Sequence, residues 1–174
     1  MRTWSYTIMG CSEASTYWFC YSDYIWSNLT DNEIKTFKSI PEKRIRSLIE
    51  AHYDTLVKLA IEKKSRLAYQ VLGVFLMDFG AKMTNAVREL ILIHSHWEDE
   101  KDQLFNEKDR AERFFYLSEF CEKVKTYKEG VKTTISWETQ NQVVEKLRKQ
   151  GLIDTKYPLV VAPDKTSIDH HIKK

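Results

Sequence analysis

Arg88 and His94 are the side chains whose types, taken together, suggest phosphate chemistry. A histidine titrates near neutrality and can move a proton, while a guanidinium beside it stabilises charge on a phosphate. Six residues separate them, and six steps turn a regular helix through about 240°. The two side chains therefore face apart unless the helix begins or breaks between them, and Leu90, Ile91, Leu92 and Ile93 lie between as ordinary core residues. A satisfied core histidine is the plainer reading of His94. His94 and His96 point to different helix faces, and no acid or cysteine follows at metal-ligand spacing. Asp169, His170 and His171 read as a solvated tail. Asp99, Asp102, Glu107, Asp109 and Glu112 form no pattern that names a metal or a glycosidase. A phosphate-binding glycine loop, a nucleophile elbow and a Cys–His dyad are all missing from the sequence. The sequence leans away from an enzyme, and no cofactor and no metal is expected.

A second constellation is basic and lies at the C-terminal end. Residues 141–174 hold seven Lys or Arg (146, 148, 149, 156, 165, 173, 174) against four acids (145, 154, 164, 169), a local excess of three. Within it, Leu147-Arg148-Lys149-Gln150-Gly151-Leu152-Ile153 closes a helical stretch and precedes Pro158-Leu159-Val160-Val161-Ala162, a Pro163-Asp164 turn and Thr166-Ser167-Ile168. β-branched residues on both sides of a turn predict a small hairpin. This helix, glycine exit and hairpin resemble the end of winged-helix DNA-binding domains, whose last helix enters a major groove. The resemblance covers residues 110–174 at most. It implies double-stranded DNA as a partner, with Gln140 and Asn141 at base edges and Lys146, Arg148 and Lys149 on phosphates. Lys156 and Lys165 would meet phosphates from the wing. Two departures stand against it. Residues 127–136 make a long linker for a helix-turn-helix, and Glu112, Glu119 and Glu122 put acid on the preceding helix.

The Arg88…His94 spacing also resembles the Arg…His motif of HEPN ribonucleases, small helical bundles. In that resemblance His94 would serve acid–base cleavage of RNA, Arg88 would hold the phosphate, and two copies would meet as a homodimer. Glu89 stands where that family has a small polar residue, and the opposed faces argue further against it.

The elements that must position these residues are mostly helices. Thr30-Asp31-Asn32-Glu33 matches a capping box. Pro41 suits the first turn of a helix in which Ile45, Leu48, Ile49, His52, Leu56, Leu59 and Ala60 recur at three- and four-residue steps, ending near Lys64. Residues 66–79 are apolar nearly all round and read as the most buried helix, stopped by Gly80. Thr84 or Asn85 caps the next, whose stripe is Val87, Leu90, Ile91, His94 and Trp97. A further stripe, Phe114, Leu117, Phe120, Cys121, Val124 and Tyr127, ends at Gly130. Residues 134–150 read as the last helix, with Val143, Val144 and Leu147 inside. The expected architecture is mainly α: a bundle of about five or six helices with a short C-terminal β-hairpin. Three regions follow: an aromatic-rich segment at 1–29, a bundle at 30–130, and a helix plus hairpin at 131–174 packed on it as one unit.

The first region holds 8 of the chain's 22 aromatic residues. It suits either a segment covering the core, led by a strand or a helix opening at Ser12, or an exposed surface. In the second case Trp4, Tyr6, Trp18, Tyr21 and Trp26 would meet a protein partner or unpaired bases. Hydrophobic residues make up 43% of the 174, enough for a real core, and 5 Gly with 3 Pro rule out a low-complexity chain. A formal net charge of +2 supplies no global field toward polyanions, so any nucleic-acid binding must come from local clustering. Cys11, Cys20 and Cys121 are an odd number without a C-x-x-C pair, which suggests reduced thiols in a cytoplasmic setting. Residues 67–79 are too short an apolar stretch to span a bilayer, and Ser5, Thr7, Gly10, Ser12 and Glu13 interrupt any leader-like run. A non-catalytic DNA-binding or adaptor protein is the leading expectation, and a protein-interaction factor docking through its aromatic N-terminus is the alternative.

Overall fold

A computed structural model describes residues 7–36, 40–101, 104 and 107–135. Seven α-helices run through them in order: α1 Ser12–Trp26, α2 Asp31–Lys35, α3 Glu42–Ala51, α4 Tyr53–Lys63, α5 Arg66–Asp78, α6 Asn85–Ile93 and α7 Glu107–Thr126. A short 3-10 turn, Trp97–Asp99, leads from α6 toward α7. Among the described residues there is no strand. The expected hairpin and the helix before it lie outside them.

The core is built around α5, as its composition requires. Every residue from Ala68 to Met77 is buried, so no face of this helix is left for water. Helices α1, α4 and α6 pack on its sides, α7 lies against α6, and α3 joins α1 to α4. Gly73 lets α5 come close to its neighbours. A Cβ there would sit 3.0 Å from Cζ of Phe120 and 3.2 Å from Cγ2 of Ile91. Helix α5 then ends as expected at Gly80, in the left-handed region at φ 62°. Four groups gather at the backbone oxygens of that end. Nε of Arg46 donates to Phe79, the amide of Gly130 to Gly80, the amide of Thr133 to Met77 and the hydroxyl of Tyr127 to Ala81. The last residues of the described chain are thereby sewn to the bottom of the central helix, and Ile135 is buried.

Several ends follow the sequence closely. Thr30 and Glu33 form the reciprocal capping box, and Thr84 caps α6 through Val87. Three features differ. The stretch 41–64 is two helices, because His52 (φ −109°, ψ 15°) leaves the helical region between them. The hydroxyl of Tyr53, the first residue of α4, accepts from the amide of Thr84 and shares a hydrogen bond with its hydroxyl. The hydrophobic stripe continues across the break, so periodicity gives no sign of it; with the short α2 counted separately, the total exceeds five or six. Helix α1 begins at Ser12, but its cap is Cys11, whose sulfur accepts from the amide of Ala14 at 3.4 Å. Helix α6 stops at Ile93, so His94 is its C-cap and Trp97 belongs to the 3-10 turn.

Candidate functional site

The most concentrated polar chemistry in the described structure sits where α5, α7 and the turn after α6 meet. Gln70 is fully buried on α5, and its amide nitrogen donates to the backbone oxygen of His94 at 3.0 Å and to Oε1 of Glu100. Its amide oxygen accepts from Nη2 of Arg113 at 2.9 Å. Arg113 also donates through Nε to Oε2 of Glu100 at 2.6 Å, through Nη2 to Oε1 at 3.2 Å, and through Nη1 to the carbonyl of Thr7 at 3.1 Å. The two charged side chains are only 11% and 12% exposed. A buried carboxylate is tolerated when its charge and lone pairs are both satisfied, and a two-pronged guanidinium with an added amide does that. The cluster is a clasp: it fixes the turn at 94–101 and the strip before α1 against two helices.

Beside the clasp lies an open groove of about 160 Å³ between the 3-10 turn and α7. Its walls are Ser95, Trp97, Phe114, Leu117, Ser118 and Cys121, with Glu122 and Lys125 at one edge. Trp97 and Phe114 meet edge to face at 5.3 Å. The thiol of Cys121 donates to the carbonyl of Ser95, and burial pushes its pKa above the ordinary thiol range. At neutral pH it is a protonated thiol, the form that does not attack. Among the described residues no group of three or more His, Cys, Asp or Glu is placed to hold a metal ion.

No match to this chain is found among protein families, curated proteins or solved structures. The residues must therefore speak for themselves. Arg88 does not face His94. Its guanidinium closes the C-terminal end of α7, donating to the carbonyls of Val124, Lys125 and Tyr127. A cation at that position also opposes the partial negative charge of the helix end. His94 stacks flat on Tyr69, with ring centroids 3.9 Å apart and planes 4° apart. Burial lowers its pKa below the ordinary histidine range, and the positive charge of Arg66 lowers it further, so the ring is neutral near pH 7.

The other sequence-derived candidates divide by place. Tyr21 lies in the interior, 1% exposed, with its hydroxyl donating to the carbonyl of Ala68 at 2.9 Å. Trp18 and Trp26 are partly buried against Phe79, and Trp18 also meets Phe75 edge to face at 5.0 Å. In this stretch it is Phe19, not those three, that faces outward, 52% exposed. Trp4, Tyr6, Gln140, Asn141, Lys146, Arg148, Lys149, Lys156 and Lys165 lie outside the described residues. Sequence reasoning missed Arg113 and Glu100. The signal for Arg113 was present: it is one turn before Leu117 on the buried stripe of α7, where a cation needs a buried partner.

Proposed function

We propose that this chain is a non-catalytic binding protein in which the helical bundle is the scaffold and residues 141–174 the element that engages double-stranded DNA. The observation that carries the non-catalytic part is the placement of Arg88 on three carbonyls at the end of α7, on a different task from the stacked His94. A phosphate-binding guanidinium needs its N–H groups directed at substrate, and these are committed to backbone. The DNA part rests on the excess of three positive charges in 141–174 and on the resemblance of the last helix and hairpin to a winged helix. Lys146, Arg148 and Lys149 would sit on phosphates, while Gln140 and Asn141 read base edges.

Replacing Lys146, Arg148 and Lys149 together by Ala tests it. Binding of a labelled duplex should weaken, and the slope of log affinity against log salt should fall by roughly three, about 0.9 for each lost phosphate contact. Duplex affinity indifferent to the triple change refutes the reading. A second reading, docking of a protein partner on the aromatic N-terminal segment, is favoured by the outward Phe19. It is distinguished by Phe19→Ala, which would then abolish partner binding while leaving duplex affinity unchanged.

A further inference from the structure

Helix α7 presents a buried stripe and two flanks. Leu117, Phe120 and Val124 are buried toward the core. Phe114, Ser118 and Cys121 lie to one side of that stripe and wall the groove against the turn after α6. To its other side Glu112, Tyr116, Glu119 and Lys123 recur at steps of four, three and four residues, the spacing of a single helix face. Phe115, 64% exposed, stands at the outer edge of that face, its ring meeting the ring of Tyr116 edge to face at 5.4 Å.

The end of the described chain arrives at this flank. The amide of Thr133 donates to the carbonyl of Met77, the carbonyl of Thr134 accepts from Nζ of Lys123 at 2.9 Å, and Ile135 is buried beside a small cavity shared with Trp18 and Val74. From 133 to 135 the chain therefore runs from Met77 back to Val74, toward the N-terminal end of α5. That is also toward the N-terminal end of α7, because Arg113, Phe120 and Tyr127 meet α5 in ascending order, at Gln70, Gly73 and Leu76. Tyr116 lies seven residues before Lys123, about 10 Å along the helix. Residues 132–135 are in neither helix nor turn, and three residues of extended chain also span about 10 Å. The third residue after Thr134 is Trp137. It is the only apolar residue in 136–142, a run otherwise of Ser, Glu, Thr, Gln and Asn.

We propose that Trp137, which lies outside the described residues, packs on the Phe115 and Tyr116 rings and anchors the C-terminal segment to α7. A tryptophan alone in a polar run gains by burying its ring, and an edge-to-face aromatic pair offers it both apolar area and favourable ring geometry. Glu112 and Glu119 on the same face are acceptors of the kind that suit an indole N–H. Whatever residues 141–174 bind, this contact sets where they leave the bundle.

Photocrosslinking of the full chain, without DNA, tests it. With p-benzoylphenylalanine in place of Phe115, ultraviolet light should join position 115 to the tryptic peptide of residues 133–146 within the same chain. The same probe in place of Phe114, on the groove flank, should not. Trp137→Ala should raise the rate of tryptic cleavage after Lys146, Arg148 and Lys149 about tenfold, with helical circular dichroism unchanged. Adding Phe115→Ala should raise it no further, because the contact is already gone. A crosslink from position 115 to a second chain or to another part of its own, or none at all, overturns the proposal. So does cleavage indifferent to Trp137→Ala, or a double variant cleaved faster than that single one.

Discussion

Replacing Arg113 with Met removes the clasp's only guanidinium while keeping a side chain of similar length. Glu100 would be left 12% exposed without its cation, Gln70 would lose the partner of its amide oxygen, and the Thr7 carbonyl would lose its Nη1 donor. Removing one member of a buried ion pair costs about 3–5 kcal/mol, because the remaining charge stays in a poorly hydrated place. The same change in an exposed pair costs under about 1 kcal/mol. For a chain of this size 3–5 kcal/mol corresponds to a fall in Tm of roughly 6–20 °C. Urea unfolding followed by circular dichroism measures it, with the midpoint shifting and the slope held. Pairing Arg113→Met with Glu100→Leu should recover a large part of the loss, since two apolar side chains leave no stranded charge. A single variant destabilised by less than about 1 kcal/mol, or a double variant less stable than the single one, refutes the view that the clasp is held by charge satisfaction.

Three further outcomes follow from particular contacts. Gly73→Ala should destabilise by about 1–2 kcal/mol despite a better helix former, because Phe120 and Ile91 are fully buried and have nowhere to move; calorimetry reads it. Lys64→Gly should stabilise by up to about 1 kcal/mol, since Lys64 holds the left-handed conformation (φ 49°, ψ 30°) at the end of α4; denaturant unfolding that shows a loss would contradict it. Burial raises the pKa of Asp78, which lines a small cavity of about 10 Å³, and the charge of Lys132 opposes that shift in part. An acid whose folded pKa is raised favours folding while protonated, so stability is present below the ordinary carboxylate range near pH 4 and is lost as pH rises through the folded value. Asp78→Asn should therefore be more stable than wild type at pH 7, and the difference should vanish in acid.

How much of this was legible in the sequence depended on how local the cause was. The capping box at Thr30 and Glu33 and the glycine stop after α5 each depend on residues within one turn, and both appear where expected. The all-round burial of α5 was legible because it has no polar face to present. The break at His52 was not, because Leu48, Ile49 and Leu56 keep one helical period across it and the turn depends on Tyr53 reaching Thr84, 31 residues on. The clasp likewise joins residues 7, 70, 100 and 113. Gln70 is a polar residue in an apolar run, yet nothing local says which charge comes to meet it.

The near-neutral net charge acquires a different meaning once its pairs are known. Among the bases clustered at 43–66, Arg44 binds Glu33 at 2.6 Å, Arg46 holds the Phe79 carbonyl, Lys58 lies 3.9 Å from Glu62, and Arg66 reaches Asp99. On α7, Lys123 and Lys125 bind Glu119 and Glu122. A base already engaged by an acid or a carbonyl releases little on meeting a phosphate, because one favourable contact is exchanged for another. Four of the seven bases at 43–66 are thus already engaged within the bundle. If the chain binds duplex DNA, its salt dependence should come chiefly from residues 141–174. Arg44→Ala should then lower stability through the lost Glu33 pair while leaving the salt slope of binding unchanged. A slope that fell as much for Arg44→Ala as for Lys146→Ala would place the DNA on the bundle and overturn this division of charge.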